Sequence, residues 1–181
     1  MPKLISGICV LLLALGHLQA QVYKTENGKA AFVSKAPLNE FTGTSESLQG
    51  LIDLNQNMLD FFVDLNTLNT GIGLRDKHMR DNYLETKKYP YGEFTGKLKA
   101  PLDMVIGKTY EVVAIGDFKL HGVSKPIEVP GQIKVISASQ LELTANFKVK
   151  LGDYKISVPK VVFYELSEIQ EVNIQAVFKK Q

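Results

Sequence analysis

The chain has 181 residues, 22% of them charged, with 21 Lys plus Arg against 19 Asp plus Glu, one Cys and no Trp. A net charge of +2, with the lysines scattered, gives no electrostatic footprint for nucleic acid or for an anionic membrane surface. A single Cys forms no intramolecular disulfide, so stability must come from packing.

Residues 1–20 carry Lys3, an uninterrupted apolar run from Ile8 to Leu15, and then Gly16 to Ala20 ahead of a polar segment. That is the layout of a cleaved secretory signal peptide, with the cut after Ala20 and a competing one at Gly16. The run is shorter than the ~20 apolar residues that a spanning helix needs, and no later stretch is long enough. Cys9 lies inside the apolar run and not after it, which argues against a lipid anchor. Removing this segment leaves residues 21–181 with 20 basic and 19 acidic residues and no Cys, a size that supports one domain with its own core.

Along residues 21–181 the dominant signal is alternation with period two, the mark of strands with one face on a core. Short strands are predicted around Ala30 to Ser34, Phe41 to Ser45 and Leu48 to Asn55. Leu59, Phe61, Val63 and Leu65 then alternate with Asp60, Phe62 and Asp64. Further strands are predicted at Tyr91 to Leu98, Tyr110 to Leu120 and Pro126 to Ser137. The clearest alternation runs from Gln140 to Lys150, and a last strand surrounds Val172, Ile174, Ala176 and Phe178. Tyr110 to Leu120 is apolar on both parities, which predicts cover on both faces. Gly71 and Gly73, Gly92, Pro101, Gly107, Gly122, Pro130-Gly131 and Gly152-Asp153 supply the turns between these segments. Many short strands at this spacing indicate a sandwich or a barrel.

One helical segment interrupts them, from Leu74 to about Tyr83, with Asp76 and Arg80 spaced for an i,i+4 ion pair and Met79 and Tyr83 sharing another face. Asp81 is placed to cap a second turn, and Pro90 disfavours helix at Tyr89. In a barrel such an excursion lies across one end. His78 and His121 are the only histidines after Ala20, too few with no Cys for a protein-built zinc site, and no nucleotide or hydrolase motif occurs. No metal, no cofactor and no enzymatic activity are therefore expected. Arg75, Asp76 and His78 form the best polar group, readable as a clamp for a polar head group or as structural pairing beside a helix end. His121 with Gly122 reads as a turn that needs φ > 0.

The segment Leu74 to Pro90, together with Leu120-His121-Gly122-Val123 and Lys125-Pro126, resembles the signature of the YceI-like family. Asn69-Thr70-Gly71, Arg75-Asp76, His78, Lys88-Tyr89-Pro90, Gly96 and Asp153 match that pattern as well. Tyr83-Leu84 stands where the family often has Phe-Phe, and Phe118-Lys119 replaces the usual Thr before Leu-His-Gly. The resemblance implies an all-β fold, an extended lipocalin-like antiparallel eight-stranded β-barrel with one short helical excursion, periplasmic or secreted in bacteria. It also implies that the barrel holds an isoprenoid or fatty-chain lipid. On that reading Phe61, Val63, Phe94, Phe118, Phe147, Val149 and Ile174 line the interior, with Arg75 and His78 at its mouth. Two other readings remain open: a filled barrel that docks a protein partner, and an enzyme acting on a bound lipid head group through His78 with Asp76. The oligomeric state is not fixed by the sequence, a homodimer being one option.

Overall fold

The structure, a computed structural model, describes residues 21–158 and 166–181. The expected signal peptide, residues 1–20, lies outside the described residues. Eight strands follow in chain order: β1 Val22–Ala36, β2 Asn39–Asp53, β3 Met58–Asp64, β4 Tyr91–Leu98, β5 Thr109–Leu120, β6 Val123–Ser137, β7 Gln140–Lys150 and β8 Ile169–Lys180. Each pairs antiparallel with the next, and β8 pairs with β1, so the sheet closes into a barrel.

Leu48 to Asp53 and Phe41 to Ser45 belong to one strand, β2, and not to two. The inward face of β2 passes from odd positions (Gly43, Ser45) to even ones (Leu48, Gly50, Ile52), and β1 makes the same change between Thr25 and Gly28. The register explains why. Thr25 pairs with Gly50, Gly28 with Leu48 and Ala30 with Ser45, so each strand bulges by one residue and the original register is restored beyond.

The end of the barrel at Val22, Ala138 and Gln181 is filled. Tyr23, Ile52, Ile133, Val135, Leu141 and Phe178 are buried there, and the Tyr23 hydroxyl donates to the Ala138 carbonyl at 3.0 Å. Burial pushes the Tyr23 pKa above its ordinary value of 10.0. Half-way along, Gly96 of β4 faces Gly116 of β5, and a Cβ on either would run into the backbone of the other strand. Only glycine lets the two strands crease together this closely. The outward Val113 and Ile115 of β5, predicted to be covered, are half-buried.

At the opposite end two seams open. β3 pairs with β2 only over Gln49–Asp53, and β6 pairs with β7 only from Gly131 to Ser137. Pro126 and Pro130 stand on the part of β6 that lacks a β7 partner among the described residues, where a missing N–H is tolerated. The segment between β3 and β4 fills the first seam. It makes a 3-10 turn at Leu65–Thr67, the helix α1 at Gly73–His78 and a π-type turn at Met79–Tyr83. Asn69 pairs with Thr44 through two backbone hydrogen bonds of 2.9 Å, and Leu65 N–H bonds Pro90 O at 2.8 Å to close the excursion at its base. So the excursion builds side wall as well as crossing the end.

Candidate functional site: an apolar hollow and its rim

Between the plug and the excursion lies a cavity of about 500 Å³. All nine residues singled out in the sequence border it: Phe61, Val63, Phe94, Phe118, Phe147, Val149, Ile174, Arg75 and His78. They follow from strand parity, because each of the seven apolar positions lies on the inward face of β3, β4, β5, β7 or β8. Phe61 packs against Phe94 and edge-on to Phe178 toward the plugged end, with ring centroids 6.3 and 5.8 Å apart. Phe118 packs edge-on to Phe147 and Tyr154 toward the excursion, both at 5.6 Å. Val63 touches both core clusters and joins them.

These inward phenylalanines are half-buried although their strands point them at the barrel axis. Their remaining exposed surface faces the hollow. Side chains filling a space of this size would bury further apolar surface, so the open hollow forgoes stability that a filled core would have.

The rim is formed by the β1–β2 turn, the start of α1 and the start of β8, where Asn39, Phe41, Ile72, Leu74, Arg75, His78 and Gln170 border the opening. The Arg75 guanidinium lies over the Phe41 ring, 4.2 Å from its centroid, and so packs on an aromatic face of the rim. The expected Asp76–Arg80 pair is replaced by other contacts. Buried Asp76 accepts from Thr70 N–H at 2.8 Å and Thr70 Oγ1 at 2.6 Å, fixing the loop before α1. The i,i+4 ion pair is instead Lys77–Asp81, at 2.5 Å, and Lys77 holds the Asp81 carboxyl below its usual range. Asp81 is thereby engaged as an ion-pair partner, away from its expected capping role. Among the described residues no three of His, Cys, Asp and Glu converge as metal ligands.

His121 ties three loops together. It has φ 50° and Gly122 has φ 73°, the conformation of a tight hairpin between β5 and β6. Its Nδ1–H donates to the Tyr154 carbonyl at 3.0 Å, its Nε2 meets the Glu85 carboxylate at 2.7 Å, and its ring lies edge-on to Tyr89 at 4.8 Å. The turn reading of His121 thus extends to a clamp on the excursion. Sequence reasoning passed over Gln170, which is buried at the rim with Nε2 bonded to Ser167 O at 2.5 Å; a Gln on an inward parity of β8 was the signal. It also passed over the rim positions of Ile72, which lies between glycines read as a turn, and of Leu74, read only as the first residue of the helical segment.

Barrel, hollow and rim together define a closed antiparallel β-barrel built around an apolar interior, with polar and apolar side chains mixed at the rim. The chain belongs to the YceI-like domain family, whose model matches residues 22–178. Among solved structures it is similar to a polyisoprenoid binding domain from Saccharophagus degradans implicated in plant cell wall breakdown. That pair shares 21% identity and a TM-score of 0.77, over 90% of this chain and 100% of the other. It is also similar to BcnA of Burkholderia cenocepacia, with 17% identity and a TM-score of 0.67 over 83% and 95% of the two chains. A UPF0312 protein of Photorhabdus laumondii is 32% identical over 106 residues, 55% of this chain and 52% of that protein. The chain thus spans about half the length of that curated relative. Among the described residues no helix is long and apolar enough to cross a membrane.

Proposed function

We propose that this protein is a secreted or periplasmic carrier that sequesters or shuttles a long isoprenoid or fatty chain in the barrel interior. The observation that carries the reading is the hollow of about 500 Å³, apolar along its walls and polar only at its rim. Such a site suits a ligand with a long apolar body and one polar end. A chain of sixteen methylene-like groups gains about 13 kcal/mol gross on leaving water, at ~0.8 per group. Association costs an estimated 4 to 15 kcal/mol, so a preformed hollow is what lets binding win. Phe61, Phe94, Phe118, Phe147, Val63, Val149 and Ile174 would touch the chain, and Arg75 and His78 its polar end. The similarity to a polyisoprenoid binding domain supports an isoprenoid cargo. The signal-peptide layout of residues 1–20 in the sequence supports a location outside the cytoplasm.

The hollow counts against the reading of a filled docking module. Catalysis through His78 with Asp76 is disfavoured because the Asp76 carboxylate is committed to Thr70. The test is mild organic extraction of protein from its native host followed by mass spectrometry, with uptake of a labelled prenyl lipid measured in parallel. A co-purifying apolar molecule and saturable uptake are expected. Recovery of none, with no uptake, refutes the carrier reading.

A further inference from the structure

The loop that opens α1 presents apolar side chains to solvent at the mouth of the hollow. Ile72 is 49% exposed and Leu74 65%, yet both border the cavity, so its apolar lining runs without interruption onto the outer surface. A Cβ built on Gly71 or Gly73 would meet nothing within 4 Å, which means that this stretch stands clear of the barrel. Its base is nevertheless held firmly, by the Asn69–Thr44 pairing, the Asp76–Thr70 bonds and an Asn69 Oδ1 contact to Gly71 N–H of 2.6 Å. Across the opening, the β1–β2 turn carries Leu38, 77% exposed, beside Asn39 of the rim.

Charge points the same way. Residues 65–90 contain Arg75, Lys77, Arg80, Lys87 and Lys88 against Asp76, Asp81 and Glu85, a net +2, whereas residues 21–181 as a whole carry +1. Asp76 is turned inward and buried, which leaves the outer side of the excursion more basic still. The tip is therefore apolar at its point and cationic behind, the arrangement that suits a phospholipid surface.

We propose that the Ile72–Leu74 tip, with Leu38, inserts into the head-group layer of a phospholipid bilayer and sets the cavity mouth against it. This rests on the carrier reading. A sixteen-carbon chain prefers an apolar phase to water by roughly nine powers of ten, so exchange through water is slow. A mouth seated on the bilayer gives the chain an apolar path from membrane to hollow. The exposed lysines of the excursion, Lys77, Lys87 and Lys88, then meet lipid phosphates, which strengthens docking on anionic vesicles.

The experiment is flotation of the full mature chain with vesicles of phosphatidylcholine alone, or mixed with phosphatidylglycerol. The wild type should float with the mixed vesicles, and Ile72→Ser/Leu74→Ser should lower that partition roughly tenfold or more. Both side chains are exposed, so the variant should unfold at the wild-type temperature, which circular dichroism checks. Uptake of a labelled prenyl alcohol from donor vesicles should accelerate as vesicle concentration rises, as contact exchange requires. Absence of flotation with either vesicle type, equal flotation of the variant, or an uptake rate indifferent to vesicle concentration overturns the proposal. So does a dimer that the double substitution dissociates in a protein that does not float, since the tip would then cover a second copy of this chain. Lipid delivered from ethanol separates the two ideas. Uptake from ethanol without flotation overturns docking alone, whereas no uptake by either route overturns the carrier reading and docking with it.

Discussion

Ala114 on β5 borders the hollow with a methyl group, which makes it the place to ask whether the barrel is a container. Ala114→Phe adds six ring carbons to the space. In a hollow they leave water without displacing protein, and burying a Phe side chain contributes about 1.5 to 3 kcal/mol. At about 2 to 4 °C per kcal/mol for a chain of this size, the melting temperature should rise by roughly 3 to 12 °C. The same six carbons remove about six methylene-equivalents of cargo contact, close to 5 kcal/mol gross at ~0.8 each. Lipid uptake should therefore fall by roughly several thousandfold or become undetectable. Thermal unfolding followed by circular dichroism, and displacement of a bound fluorescent fatty probe, measure the two effects on one sample. In a filled barrel the signs reverse, because overpacking a complete core costs about 1 to 3 kcal/mol. A variant that melts earlier and still takes up lipid normally would refute the container argument.

His121→Ala removes the donor to the Tyr154 carbonyl and the contact with Glu85, so a loss of roughly 2 to 3 kcal/mol is expected, read as a lower urea midpoint with unchanged slope. Gly96→Ala should destabilise by more than about 2 kcal/mol, because its Cβ meets the Gly116 backbone, which cannot step aside; Gly73→Ala, in open space, should change stability by less than about 0.5 kcal/mol in the same titration. Burial raises the folded-state pKa of Tyr23, and burial with Asp153 raises that of Tyr154. A phenol that keeps its proton in the folded state contributes stability in full below the unfolded value of 10.0 and loses it as pH rises past that value. The urea midpoint should therefore drop between about pH 9 and about pH 11, and less so in Tyr23→Phe. An unchanged slope of stability with pH in that variant would refute the assignment.

The strands were legible wherever one face meets the core and the other meets water, as in β7, whose bounds match the predicted Gln140 to Lys150. β2 was split because its bulge moves the apolar residues from odd to even positions, which looks like a break when a strand is read alone. Only its partner β1, bulging opposite, shows that the strand continues. The lining phenylalanines were readable for the same reason as β7: parity names the inward face. Whether that face encloses a space depends on barrel diameter and on what crosses the ends, which no local pattern records. Asp76 was read toward Arg80 because helical spacing suggested it, whereas its partner Thr70 lies before the helix, where spacing rules do not reach. Ile72 and Leu74 were invisible as a surface feature, since exposure of an apolar residue beside glycines is a property of the folded rim.

The matched bulges of β1 and β2 give this barrel a place to change length. Deleting one residue near Asn27 would remove the β1 bulge while leaving Thr25 opposite Gly50 and Gly28 opposite Leu48, with Tyr23, Thr25, Gly28 and Ala30 alternating on the inward face. Deleting one near Glu46 as well would remove the β2 bulge and make the ladder regular. Single-residue gaps in relatives should therefore gather at this corner, on either strand, and avoid the regular ladders to each side.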